Sequence, residues 1–292
     1  MFFGSIPALV TPFKDGEVDE AAFRDFVEWQ IDEGSNGLVP CGTTGEVATL
    51  SSAEQRQVIA ATVEVSNGRV PVIAGCGGYN TASVIEATKA AGDVGADAAL
   101  CVVPYYNKPS QAGLVAHYAA VADASPIPIV VYNVPGRTVV DLQTPALAEI
   151  ARHEKVVAIK DATGNVGRVT EQRTACGEEF IQLSGDDPTA LGFNISGGVG
   201  CISVTANVAP NLCSQLQAAM RDGDWDRARD LQGRLYALHL AMFADASPGP
   251  AKYALSKVRP GFSTEVRLPL TEPSDAAKKA VDAAMATAGL AG

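Results

Sequence analysis

Short, uninterrupted apolar runs alternate along this chain with longer stretches of helical periodicity. IPALVTPF (6–13) precedes DEAAFRDFVEWQIDEG, GLVPCG (37–42) precedes SSAEQRQVIAATVEV, VPVIAGCG (70–77) precedes TASVIEATKAAGDVG, and ADAALCVVP (96–104) precedes QAGLVAHYAAVADA. The alternation continues with IPIVVYNVP (127–135) before TPALAEIARH, KVVAIKDAT (155–163) before VGRVTEQRTACG, FIQLSG (180–185) before DPTALGFNISGG, and GCISVTA (200–206) before APNLCSQLQAAMRDG. A continuous apolar run of this length predicts a strand covered on both faces, whereas apolar residues at helical spacing form the buried stripe of a helix. Ser51 or Ser52 is placed to cap the second helix, and Pro145 falls in the first turn of another, where its missing N–H is not needed.

Eight such units within residues 1–224 predict an α/β fold, a closed (β/α)8 TIM barrel with its parallel sheet wrapped in helices. A doubly wound open sheet is the alternative, but it would carry a glycine-rich phosphate turn after its first strand. The first apolar run here ends in TPFKDG, which is no such turn. Residues 225–292 carry further helical patterns, DRARDLQGRLYALHLAMF and SDAAKKAVDAAMATAGL, and read as a C-terminal helical extension packed on the barrel.

Composition narrows the classes of partner. A net charge of −11 over 292 residues argues against nucleic acid and against an anionic membrane surface. No apolar run reaches the length of a membrane span, and MFFGSIPALVTPFKDG has neither the basic region nor the cleavage site of a signal peptide, so a cytoplasmic protein is expected. The six cysteines form no CxxC pair and four lie in strand-like runs, which reads as small buried hydrophobes in a reducing compartment. His117, His153 and His239 are scattered, so no metal site is expected.

The barrel assignment decides where chemistry can occur, because active sites of this fold lie at the C-terminal ends of the strands. Polar residues at those ends are Thr11, Thr43, Thr44, Glu46, Tyr105, Tyr106, Tyr132, Asn133, Arg137, Lys160, Asp161, Asp186 and Thr205. Of nine lysines, only Lys160 sits inside an apolar strand run. Two readings are open from position alone. The lysine stem can pack on apolar neighbours while the amine reaches water, or the amine can serve as a Schiff-base nucleophile. A lysine of ordinary pKa, about 10.4, offers a free amine in only about one copy in 2,500 at pH 7. Desolvation inside a barrel mouth disfavours the ammonium form, so such a strand would activate a lysine as well as hold it.

A Schiff-base lysine needs a proton carrier and donors for an anionic substrate. YNVPGR (132–137) ends the preceding strand and supplies both, Tyr132 as a proton shuttle and Arg137 as a planar fork for a carboxylate. CGTTGE (41–46) ends the second strand, with backbone N–H groups and hydroxyls suited to an anion. Singly, each has a plain structural reading: an interface aromatic, a surface charge, an ordinary turn. Together, at three strand ends of one barrel, they point to a site. The glycine run SGGVG (196–200) suggests a phosphate-binding barrel instead, but it precedes the last strand and so lies at the wrong end of the barrel.

The motifs GTTGE, PYYNKPSQ, YNVPGRT, IKDATG, LSGDD and ISVTANVAP together resemble the dihydrodipicolinate synthases, members of the pyruvate-dependent class I aldolase superfamily that includes N-acetylneuraminate lyases. The resemblance runs essentially end to end. It implies that Lys160 forms an imine with pyruvate and that Tyr132 is the general acid/base, linked through Thr43 to Tyr106, which the family borrows from a neighbouring subunit. It implies that Thr44 binds the pyruvate carboxylate, that Arg137 holds the carboxylate of L-aspartate 4-semialdehyde, and that the backbone of Gly185 and Ile202 lines the site. Glu46 and Asp161 are assigned structural roles. It further implies no metal or organic cofactor and a homotetramer built as a dimer of dimers. Rival readings are a sugar-acid aldolase of the same superfamily, against which Arg137, Thr43 and Thr44 argue, and a non-catalytic barrel, against which Lys160, Tyr132, Thr43 and Tyr106 argue together. Members inhibited by L-lysine carry a serine after GTTGE, then two histidines, then a glutamate in the next helix. Val47, Ser52, Gln55 and Ser83 stand at those positions here, Tyr79 or, with a one-residue slip of register, Asn80 stands where an asparagine is usual, and Tyr105 remains, so weak or absent inhibition is expected.

Overall fold

The computed structural model describes residues 2–290. Its sheet is parallel throughout and runs in the order Gly4–Pro7, Gly200–Ser203, Ile181–Ser184, Val156–Asp161, Ile129–Asn133, Ala98–Val102, Ile73–Gly75. Residues 38–39 close the remaining gap. Leu9 N–H donates to the Val39 carbonyl and Val39 N–H to the Pro7 carbonyl on one side, and Ile73 N–H donates to the Leu38 carbonyl on the other. The second predicted strand is thus the shortest contribution to the barrel, but it completes it.

Two separate apolar clusters follow from strand parity. Within one strand, Ala98 and Leu100 face the barrel interior while Ala99 and Cys101 face the helices. In the next, Val130 and Tyr132 face in while Ile129 and Val131 face out. Both faces are covered, which is why these runs read as continuously apolar. Each crossover helix lays its stripe on the outer cluster. Helix Glu20–Asp32 buries Phe23, Phe26 and Val27, and helix Gln111–Ala124 buries Leu114, Tyr118 and Val121. Ser51 is the N-cap of helix Ser52–Ser66 and makes a reciprocal box with Glu54, a pairing typically worth about 1 kcal/mol. Pro145 lies in the first turn of helix Thr144–Ile150.

TPFKDG proves to be part of a small hairpin, in which Phe13–Lys14 pairs antiparallel with Glu17–Val18. Asp15 and Gly16 both adopt positive φ, 54° and 83°, as a two-residue hairpin turn requires. After the last barrel helix, Pro210–Arg221, come helices Trp225–Ala241, Gly249–Val258 and Asp275–Ala288. The middle one is short and carries a proline at its start, which hid it from the helical pattern. Among the described residues, no helix is long and apolar enough to cross a membrane.

Candidate active site

Strand parity aims Lys160 into the barrel. Ala158, two residues earlier, belongs to the interior cluster with Val130, Leu183 and Ile202, whereas Ile159 packs outward. Lys160 stands opposite Tyr132 on one neighbouring strand and Leu183 on the other. It is 6% exposed, and its Nζ lies 4.2 Å from the centre of the Tyr132 ring. Among the described residues, two lysines are buried, and each lies over an aromatic ring, but only Lys252 also has a carboxylate within ion-pair distance.

Gly185, at the end of the next strand, makes room for the lysine stem. A Cβ there would sit 2.9 Å from Lys160 Cε, 3.1 Å from its Cγ and 2.8 Å from Ala162 Cβ. The Gly185 N–H donates to the Asp161 carbonyl at 2.7 Å, which fixes that backbone beside the lysine. Ile202 is buried in the interior cluster one strand further round.

The GTTGE segment forms a tight turn at the mouth of the barrel. Gly45 N–H donates to the Gly42 carbonyl and Glu46 N–H to the Thr43 carbonyl, each at 3.1 Å, and the Thr11 hydroxyl donates to the Gly45 carbonyl at 2.8 Å. Thr44 is buried and Thr43 exposed. Strand Ile73–Gly75 passes so close beneath the turn that a Cβ on Gly75 would fall 1.9 Å from the Cys41 carbonyl oxygen. Glu46 closes the turn in a left-handed conformation, φ 57°, and its buried carboxylate accepts from Lys252 Nζ at 2.5 Å and from the Arg267 N–H at 3.0 Å.

Arg137 lies in the helical turn Pro135–Thr138 and is exposed at the mouth. A buried polar network ties that loop to the lysine strand. Asn133 donates to Asp141 at 2.8 Å and accepts the Leu142 N–H at 3.1 Å. Arg168 donates to both Asp141 oxygens at 3.0 Å, and its Nε lies 3.4 Å from Asp161 Oδ2, an ion-pair distance without hydrogen-bond alignment. Asp161 in turn accepts from Thr163 and from Gln172. On the other flank, buried Asp187 accepts from the Ser203 hydroxyl at 2.5 Å and the Val204 N–H at 3.0 Å, while Thr205 pairs with His239 of the C-terminal helices.

Lys160, Tyr132, Gly185 and Ile202 therefore converge within the barrel, with Thr44 in the buried turn at its mouth. Tyr106 does not join them within the single chain. It is 90% exposed and takes a positive φ of 65°, which a bulky residue rarely adopts. Sequence reasoning passed over Arg168, Asp141, Asp187 and Lys252. Each is a charged residue within a helix or loop, and only its pairing with an opposite or hydrogen-bonding partner in the folded chain reveals it. A buried amine beside a phenol, over an apolar floor, is the equipment for imine chemistry on a small carbonyl compound.

The chain matches the model of the dihydrodipicolinate synthetase family over residues 1–288. It is 57% identical over 291 residues to the 4-hydroxy-tetrahydrodipicolinate synthase of Rhizorhabdus wittichii, covering 100% of both chains, and 56% identical to that of Novosphingobium aromaticivorans, covering 99% of both. Among solved structures, it superposes with TM-score 0.96 on the chloride-inhibited dihydrodipicolinate synthase of Acinetobacter baumannii complexed with pyruvate, at 44% identity over 99% of this chain and 100% of that one. The Aquifex aeolicus dihydrodipicolinate synthase gives TM-score 0.96 at 41% identity over 99% of both chains. A match of this extent, with the buried lysine and the tyrosine of the motifs side by side in the barrel, makes the assignment: the chain belongs to the dihydrodipicolinate synthetase family.

Proposed function

We propose that this chain is a 4-hydroxy-tetrahydrodipicolinate synthase, a lyase of the class I aldolase type that condenses pyruvate with L-aspartate 4-semialdehyde in lysine and diaminopimelate biosynthesis. The observation that carries the reading is Lys160, buried on the inner face of the barrel with its Nζ 4.2 Å from the Tyr132 ring centre.

The Lys160 amine adds to the ketone carbon of pyruvate, and the carbinolamine loses water to give an imine. The imine nitrogen withdraws electrons, so the methyl group releases a proton and becomes an enamine. The enamine carbon attacks the aldehyde of the second substrate, and a carbon–carbon bond forms while the aldehyde oxygen takes up a proton. The amino group of that substrate then adds to the imine carbon, Lys160 leaves as the free amine, and a six-membered ring closes. Tyr132 carries the protons, passing them through Thr43 to Tyr106 of a neighbouring protomer. Thr44 binds the pyruvate carboxylate, Arg137 the carboxylate of the semialdehyde, and the backbone of Gly185 and Ile202 lines the site. The lysine itself is the electron sink, so the chemistry calls for no metal or organic cofactor.

The exposure and positive φ of Tyr106 support a site shared between two protomers, and the homotetramer of two tight dimers rests on the family resemblance. Incubation with pyruvate and borohydride, followed by peptide mass mapping, tests the reading. Reductive labelling of Lys160 with loss of activity is the expected result; an active enzyme whose Lys160 stays unlabelled would refute it.

A further inference from the structure

The Glu46 carboxylate has no part in the mechanism above, yet both of its oxygens are held by residues of the C-terminal extension. Its side chain and that of Lys252 are both 0% exposed, and the two meet at 2.5 Å. The second donor on Lys252 goes to the Glu265 carbonyl at 2.6 Å, and its Nζ sits 4.3 Å from the centre of the Phe13 ring. The other Glu46 oxygen takes the Arg267 N–H. The Arg267 guanidinium, 4.4 Å from the same Phe13 ring, spreads over the neighbourhood. It donates to the Thr49 carbonyl just beyond the turn at 3.0 Å, to the Gly16 carbonyl of the hairpin at 2.7 Å, and to both oxygens of Glu54 in the first turn of the next helix.

The partners lie 206 and 221 residues from Glu46 in the chain. A buried ion pair contributes little net stability compared with apolar residues of the same shape, so stability alone does not account for it. What it does is geometric. Glu46 is a non-glycine residue in the left-handed region, a conformation that costs roughly 1–2 kcal/mol per residue unless its surroundings hold it. Its N–H closes the turn on the Thr43 carbonyl, so the direction in which Thr43 and Thr44 point depends on where Glu46 is held.

We propose that Lys252 and Arg267 are positioning residues for pyruvate: the C-terminal extension clamps Glu46 and thereby sets the Thr43–Thr44 turn to the substrate carboxylate. The proposal rests on the assignment of Thr44 to that carboxylate. Neither Lys252 nor Arg267 touches substrate: Lys252 acts on the Glu46 carboxylate directly, and the Arg267 guanidinium anchors to Thr49, Gly16 and Glu54 the backbone whose N–H holds the other Glu46 oxygen. Displacing the turn by a fraction of an ångström would weaken capture of the carboxylate while leaving Lys160 and Tyr132, on other strands, able to form the imine. Misplacement of about 1 Å costs about 10²-fold in comparable cases, so a partial displacement should cost about tenfold or more.

The test is borohydride trapping of the pyruvate adduct across a pyruvate titration, in wild type, Lys252→Met and Arg267→Gln, with chemical denaturation run alongside. The expected result is a half-labelling concentration raised about tenfold or more, with maximal labelling of Lys160 retained. Trapping at high concentration with acetone, a ketone that lacks the carboxylate, should be the same in variant and wild type. A folded variant with an unchanged half-labelling concentration overturns the clamp, as does a variant in which pyruvate and acetone trapping fall together. If Lys252→Met does not fold, Arg267→Gln decides by the same readout, since that side chain is partly exposed and its loss frees the backbone that holds Glu46 from Thr49, Gly16 and Glu54. A wild type that pyruvate does not label at Lys160 overturns the Schiff-base reading itself, an outcome distinct from a shift confined to the variants.

Discussion

Replacing Gly185 by alanine adds one methyl group where the lysine stem passes. The new Cβ would lie 2.9 Å from Lys160 Cε and 2.8 Å from Ala162 Cβ, where ordinary van der Waals contact begins at 3.4 Å. Gly185 does not have a positive φ, so the effect is steric and not conformational. Ala162 is held by its own N–H to the Asn133 carbonyl at 2.9 Å, so the lysine stem must do much of the yielding, by about 0.5 Å. Overpacking of this kind typically costs about 1–3 kcal/mol of stability. The catalytic effect should be larger. If about 1 Å of misplacement costs about 10²-fold, half of that displacement at the nucleophile predicts a fall in kcat of about tenfold. Initial rates at saturating pyruvate and semialdehyde, with urea denaturation as a check on folding, measure both quantities. A folded Gly185→Ala enzyme with kcat within about twofold of wild type would show that the close approach of this backbone does not position the lysine.

Other outcomes follow from the same geometry. Tyr132→Phe should lower kcat by about 10²–10⁴-fold, the usual worth of a positioned proton carrier, whereas Arg137→Ala should raise the KM for the semialdehyde and leave the trapped pyruvate adduct intact; the reverse pattern would exchange their roles. L-Lysine should inhibit weakly or not at all: in the cavity of about 680 Å³ that includes Val47, Ser52, Gln55, Ser83 and Tyr105, Ser83 supplies no carboxylate, and Glu86, the one carboxylate in the lining, already pairs with Lys89 at 3.2 Å; strong inhibition at sub-millimolar lysine in rate assays would refute this. His117 is buried, pairs through Nδ1 with Thr81 at 2.9 Å, and is pushed down by burial to about 4. Below about pH 6.5 the unfolded chain binds a proton that the folded one refuses, so stability should fall from there to about pH 4 and then level off. Denaturation midpoints across that window should decline less in His117→Gln than in wild type, and equal slopes would exclude His117 as the source.

The barrel was legible in the sequence because each strand is buried on both faces and each helix on one, so the two periodicities stay distinct. Lys160 stood out for the same reason: an ammonium inside VVAIK contradicts its surroundings. The hairpin at Asp15–Gly16 was also written locally, as an Asp-Gly pair, but its two flanking strands are only two residues long and carry no alternating pattern of their own. Lys252 could not be found this way. It lies in a short helix with no strong pattern, and its meaning comes from Glu46, 206 residues away. Arg168 and Asp187 were hidden likewise, since a charged residue on a helix or turn ordinarily faces water and only the folded chain reveals that these do not.

The pairing of Gly4–Pro7 with Gly200–Ser203 has a consequence for how the molecule is made. At typical synthesis rates of about 5–20 residues per second, the first strand waits roughly 10–40 s for the partner that closes its open edge. During that interval its unpaired backbone, and the apolar interior behind it, are accessible to any extended segment nearby. Glu46 waits longer still, since Lys252 and Arg267 emerge after every barrel strand. The turn at the mouth of the barrel is therefore among the last parts of the nascent chain to reach its final form, and a ribosome-bound chain ending between residues 221 and 252 holds every barrel strand while that carboxylate still lacks its counter-charge.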